Sequence, residues 1–331
     1  MSYESGVDGL RLVSVPLELA DTVQICKTAD PSCSLMKARN MLASYLDQQR
    51  KLEHDLQQDH QVTLSEVITA YEEAVGTIRA AGKPSLLAQA LHELGNLHFY
   101  RDNLRGAYAC WADAADVLLK KTDVINNWRM CLTAEELGGA ALLARCGVWG
   151  CLLAGILVTD VARYVLKLGL ALRTETCLLA AALFRAVFGA ALPCLRSDEE
   201  FVNAAGGSVD AVPSIELLSD HGRCNPATLV TCLMWLGDEL TKSHHFVAVI
   251  PVLLLQESVA RRLQLWCEWA AGQTTLVRVV TNLGRYCDAV IILHRLFNPP
   301  LLADTPGATH TPRFHREAAF NNVDNIEVLK L

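Results

Sequence analysis

Few residues in this sequence stand at spacings that chemistry could use, and each has a plainer reading beside it. The stretch "AAGKPS" carries the Gly-Lys pair of a phosphate-binding loop. Such a loop needs its two glycines at a fixed separation, so that backbone N–H groups cradle the phosphates, and a Ser or Thr after the lysine to hold magnesium. Gly76 lies one residue too far from Gly82, and Pro84 occupies the magnesium position. A helix stop is the better reading. His244-His245, and Asp220, His221 and Cys224 of "SDHGRCNP", offer metal-ligating atoms. Neither group has the paired spacing of a zinc site, which favours a surface loop and a helix entry. Cys110 stands beside Trp111 without an evident base to activate it, so core packing outweighs nucleophilic chemistry. Glu135-Glu136 and Asp198, Glu199 and Glu200 fall at helix starts, where carboxylates complement the helix dipole. The expectation is no catalytic residue, no cofactor and no metal.

Composition narrows the classes further. A chain of 331 residues with 51% hydrophobic content can bury a sizeable core. Its net charge of −7 opposes capture of nucleic acid, which needs clustered Lys and Arg. The twelve cysteines include no C-x-x-C, and most lie in apolar helical patterns, as small buried hydrophobes of a reducing compartment do. "MSYESGVDGLRLVSVPLELAD" shows no basic leader followed by an apolar run, so a cytoplasmic location is expected. The apolar run "CGVWGCLLAGILV" is bounded by Arg145 and Asp160, short of the roughly 20 residues that cross a bilayer. A second run, "CLLAAALFRAVFGAALPCL", carries Arg185 and Pro193. Both read as helices covered by neighbours, and no membrane span is expected.

The elements follow from periodicity. Leu64, Val67, Ile68, Tyr71, Val75 and Ile78 form one apolar stripe at helical offsets, ended by "AGKP". Thr133 with Glu136 has capping-box spacing, Thr174 can cap the run after it, and Asn225-Pro226 places a cap before a first-turn proline. Asn298-Pro299-Pro300 closes the last helix. About ten helices are expected. The organisation is an irregular N-terminal segment over 1–15, a helical-repeat domain over 16–297 with a loop insertion at 195–225, and a mobile C-terminal tail over 298–331.

The stretch "LHELGNLHFYRDNLRGAYACWADAADVLL" holds the most specific pattern. Leu91, Leu94, Gly95 and His98 share one face of a helix over 88–101; Ala107, Trp111 and Ala114 share one face of the next, over 104–120. Small residues let two antiparallel helices approach while the large ones fill the space beside them. This order resembles the tetratricopeptide repeat. Ala74, Ala107 and Ala141 are separated by 33 and 34 residues, near that family's period. Toward the C-terminus Ala289, Leu293 and Leu296 take the places of Ala107, Trp111 and Ala114, with Val277 where the small residue belongs. The fold class is all-α, an irregular α-solenoid of antiparallel helix pairs with tetratricopeptide-like repeats.

A narrower resemblance rests on "ARNMLASYLDQQRKLEHDLQQ" and on the helix pair "LGNLHFYRDNLRGAYACWADAADVLL" followed by "NNWR". Together they resemble the cilia- and flagella-associated protein fifty-four family. That resemblance implies a non-enzymatic scaffold in the central apparatus of the motile axoneme, with other axonemal scaffold subunits as partners. It also implies a cytoskeletal location in the cilium or flagellum and no catalytic residues. The alternative is a tetratricopeptide-type adaptor for peptide segments, needing a groove lined by Lys, Arg and Asn. Arg101, Asn103 and Arg105 sit in the turn instead.

Overall fold

One left-handed residue between successive helices organises much of this molecule. The structure, a computed structural model, describes residues 30–52, 62–133, 139–166, 170–191, 195, 197–206 and 226–297. The described elements are helices: α1 (Pro31–Leu52), α2 (Leu64–Ala80), α3 (Pro84–Tyr100), α4 (Leu104–Leu119), α5 (Val124–Cys131), α6 (Ala140–Asp160), α7 (Leu170–Ala191), α8 (Asp198–Gly206), α9 (Pro226–Lys242), α10 (Phe246–Arg262), α11 (Trp266–Asn282) and α12 (Tyr286–Phe297). Chain neighbours pack on each other, α1 on α2 through α4, α6 on α7, and α9 through α12 in turn. The all-α solenoid that the periodicity predicts is the fold observed.

Helices start at Leu64, Pro84, Leu104 and Val124, and again at Pro226, Phe246, Trp266 and Tyr286, 20 residues apart in both runs. Five of the turns between them close identically. Gly82, Asp102, His244, Gln264 and Gly284 have positive φ. The next N–H reaches back to a carbonyl of the finished helix: Lys83 to Ile78, Asn103 to His98, His245 to Leu240, Leu265 to Ala260, Arg285 to Val280. The carbonyl of that same residue then accepts the first bond of the next helix, from Leu87, Ala107, Val249, Trp269 and Ala289 respectively. One residue thus satisfies the end of one helix and the start of another. A pair takes 40 residues here, so the 33- and 34-residue spacing of Ala74, Ala107 and Ala141 does not track the helix starts: Ala74 lies late in α2, Ala107 early in α4.

Between the two runs lies the hairpin of α6 and α7. Helix α6 outruns its apolar core sequence: it begins at Ala140, breaks at Gly147, reaches Asp160 and continues as a π-helical turn, Val161–Val165. By length and composition the segment Ala140–Val165 is long and apolar enough to cross a membrane, which corrects the expectation that Arg145 and Asp160 cut it short. Asp160 stands 3.8 Å from His92 Nε2 of α3, and toward the other end the backbone carbonyl of Arg145 accepts from Lys120 Nζ at 2.8 Å. Gly150 through Thr159 are buried, under α4 and α7. This is the central helix of the fold.

Several expected boundaries move. Thr174 lies inside α7, which starts at Leu170, and does not cap it. Within the stretch read as a loop insertion, residues 198–206 form α8, started by a reciprocal cap: the Glu200 N–H donates to Ser197 Oγ at 3.2 Å and the Ser197 N–H to Glu200 Oε2 at 2.7 Å. Glu135, Glu136, Asn225, and residues 1–15, 207–225 and 298–331 lie outside the described residues. Helix α10 is buried from Val249 through Ala260, because α7, α8, α9 and α11 surround it.

The turn geometry carries a test. Asp102, His244 and Gln264 hold a backbone conformation that costs an ordinary side chain about 1–2 kcal/mol, partly offset by the extra chain entropy glycine would lose on folding. Gln264→Gly is expected to raise stability by about 0.5–1 kcal/mol in reversible denaturant melts, and Gly284→Ala to lower it by about 1 kcal/mol.

Candidate functional site

The α3–α4 joint is the closest helix approach built on the predicted motif. Gly95 faces the Trp111 indole, and a β-carbon at Gly95 would overlap the ring atoms Nε1 and Cδ1. Trp111 is 1% exposed, and its Nε1–H donates to the His92 carbonyl at 3.3 Å. A buried indole thus keeps its one donor satisfied while its Nε1–Cδ1 edge lies against the glycine. Phe99 and Tyr164 complete an aromatic cluster, with ring centroids 6.0 and 6.4 Å from Trp111 and 4.6 Å from each other. Leu91, Leu94, Ala107 and Ala114 are buried around it. His98 is half-buried at the turn, its Nδ1 3.3 Å from Asn103 Nδ2, and burial holds its pKa below the usual imidazole value.

Polar contacts tie the neighbouring helices. Arg39 of α1 donates through Nε to Glu93 Oε2 of α3 at 3.0 Å, and Tyr71 of α2 donates its hydroxyl to the same oxygen at 2.8 Å. Burial first, then the Glu93 charge, pushes the Tyr71 phenol well above its usual range, so it remains a donor. Arg79 of α2 pairs with Asp113 of α4. Asp116 of α4 caps α5 from outside, accepting the N–H groups of Asp123 at 2.6 Å and Val124 at 2.9 Å.

The second run repeats the joint at a place the sequence reading passed over. Gly237 holds in α9 the position of Gly95 in α3, and Leu253 holds in α10 that of Trp111 in α4; a β-carbon at Gly237 would lie 2.9 Å from Leu253 Cδ2. "WLG" before the turn echoes "ELG", and that dipeptide was the available signal. In α12, Ala289 and Leu296 are buried and Leu293 is partly buried against the core. Gly155 against Phe184, and Gly272 against Gln256, make two further glycine crossings.

Gly82 and Lys83 form the α2–α3 turn, with Pro84 as the first helical residue of α3. His244 is the left-handed turn residue and His245 the entry to α10. Cys110 has its thiol pushed up to about 11 by burial and by Asp113, which leaves it a poor nucleophile. Asn103 caps α4, accepting the Gly106 N–H at 3.0 Å, and Arg101 and Arg105 are exposed beside it. Asp198, Glu199 and Glu200 occupy the first turn of α8. Asp220, His221 and Cys224 lie outside the described residues. Among the described residues no three His, Cys, Asp or Glu side chains gather where they could hold a metal.

The described residues are marked by a pattern of helix joints, and the sequence that builds them has relatives. The chain is similar to cilia- and flagella-associated protein 54. It is 24% identical to the Mus musculus protein over 315 residues, 87% of this chain and 9% of that protein. Identity is 25% to the Homo sapiens protein over 268 residues, 74% of this chain and 8% of the relative. For the Chlamydomonas reinhardtii protein it is 29% over 237 residues, 71% of this chain and 8% of the relative. The chain spans less than a tenth of the length of these curated relatives. No protein-family model matches it.

The joint can be tested against an internal control. Gly95→Ala is expected to destabilise by about 1–3 kcal/mol, because a rigid indole blocks the new methyl. Gly76→Ala, on the open face of α2 with nothing within 4 Å, should stabilise by roughly 0.5–1 kcal/mol through helix propensity. Trp111→Ala should cost about 3–5 kcal/mol in the same melts through lost burial and the cavity left behind.

Proposed function

We propose that this chain is a non-enzymatic structural component of the motile cilium or flagellum, acting in the central apparatus of the axoneme in ciliary assembly or movement. The observation that carries the reading is the similarity, over 71–87% of the chain, to proteins named for association with cilia and flagella in a mouse, a human and a green alga. The fold supports it: a stack of helix pairs offers extended side-chain surfaces to other proteins, and its identifiable specialisations are packing joints. Its partners are other axonemal scaffold proteins, met through exposed helix faces such as that of Tyr286, Val290 and Phe297 on α12. The tetratricopeptide-type adaptor reading gains no support from Asn103, which the turn already uses as a helix cap.

Tagged protein expressed in cells with motile cilia is expected to remain with axonemes after detergent extraction. Its retention should fall in axonemes that lack the central microtubule pair. Recovery entirely in the detergent-soluble fraction would reject the axonemal role; equal retention without the central pair would reject the central-apparatus position.

A further inference from the structure

Four side chains form an uncovered apolar line along α12. Tyr286, Val290, Leu293 and Phe297 follow one another at offsets of four, three and four residues, the spacing of a seam that receives one further helix. Tyr286 is 67% exposed, Val290 64% and Phe297 40%, and Leu293 is partly buried beside them. The charges of this helix lie elsewhere. Asp288 pairs with Arg285, whose Nη1 donates to Asn203 Oδ1 of α8 at 2.7 Å, and Arg295 donates to the Ala205 carbonyl of α8 at 3.1 Å. In the preceding helices the fold covers the same positions. Counted from each helix start in the second run, Val290 matches Val230, Ile250 and Ala270, and Phe297 matches Gly237, Glu257 and Val277. All six are buried. Each of α9, α10 and α11 has the next helix packed on it, whereas among the described residues no helix follows α12.

We propose that residues 298–331 of this chain supply the cover, seating Ala319, Val323 and Ile326 on the line of Tyr286, Val290, Leu293 and Phe297. The segment follows α12 directly in sequence. Ala319, Val323 and Ile326 stand four and three residues apart, as Tyr286, Val290 and Leu293 do. Thr311-Pro312 repeats the order of Asn225-Pro226, where α9 begins. Helix α12 has 12 residues and extends about 18 Å, and residues 298–311 can reach roughly 45 Å, enough to return along it. A second copy of the chain is a poorer occupant, because four partly covered side chains fall well short of the roughly 800 Å² that each partner of a stable complex buries. A tethered segment needs far less, since the connection holds its effective concentration high. The stretch expected from sequence to be a mobile tail thus closes the stack, and an axonemal partner that uses the α12 face must displace it.

The test uses the whole isolated chain, free of axonemes, so its failure leaves the axonemal role standing. The photoreactive residue p-benzoylphenylalanine is placed at position 290, the dilute protein is irradiated, and tryptic fragments are read by mass spectrometry. Cleavage after Arg285, Arg295, Arg316 and Lys330 should leave residues 286–295 joined to residues 317–330 within one chain. Val323→Glu should lower the yield of that product about tenfold, by placing a charge on the apolar seam. The same photoreactive residue at position 130, in place of the exposed Met130, should give no such product. A link between two chains, an unchanged yield in Val323→Glu, or no link from position 290 to the segment would overturn the proposal.

Discussion

A single backbone hydrogen-bond pattern, repeated at five turns, sets the spacing of most of this molecule. A helix end leaves carbonyls and N–H groups that need partners, and a connection of three residues has little room to supply them. The left-handed residue solves this by turning the next N–H back onto the finished helix. Because that same next residue opens the following helix, turn length and helix register are fixed together. The consequence is that equivalent residues of successive pairs face the same kind of neighbour, whatever side chains stand there.

On that spacing, side-chain size decides how near two helices come. Gly95 accepts an indole, Gly237 a leucine, Gly155 a phenylalanine ring and Gly272 an amide. The partner varies while the recess stays, so the joint tolerates wide sequence change on one side only. This fits a chain that keeps similarity to its relatives at 24–29% identity along most of its length. The π-helical turn after α6 adds to the same economy: it brings Tyr164 against Phe99 and carries Arg163 over the Tyr164 ring at 4.9 Å.

The α3–α4 pair was legible because large and small residues alternate there at strict helical offsets and an aromatic marks the centre. The matching α9–α10 pair was not, since Leu253 lacks the aromatic signal and Pro251 interrupts the expected helix. The period of 20 was hidden for a similar reason: only Gly82 and Gly284 advertise a left-handed turn, while Asp102, His244 and Gln264 are residues that also fit a helix surface or a loop. The extent of α6 escaped notice because bounding charges were read as helix limits, whereas Asp160 meets His92 from a distant part of the chain.

The turn bonds have a bearing on how the chain reaches its fold. Each turn is completed by groups within six residues of one another, and most helices rest on the helix next in sequence. Little loop entropy is spent before such contacts form, which favours rapid, local assembly from several starting points. The contacts of α10 with α7 and α8 are of another kind, because they join segments separated by longer stretches of chain. They tie the second run to the α6–α7 hairpin and to α8, and closing those longer loops costs more chain entropy than forming the local pairs.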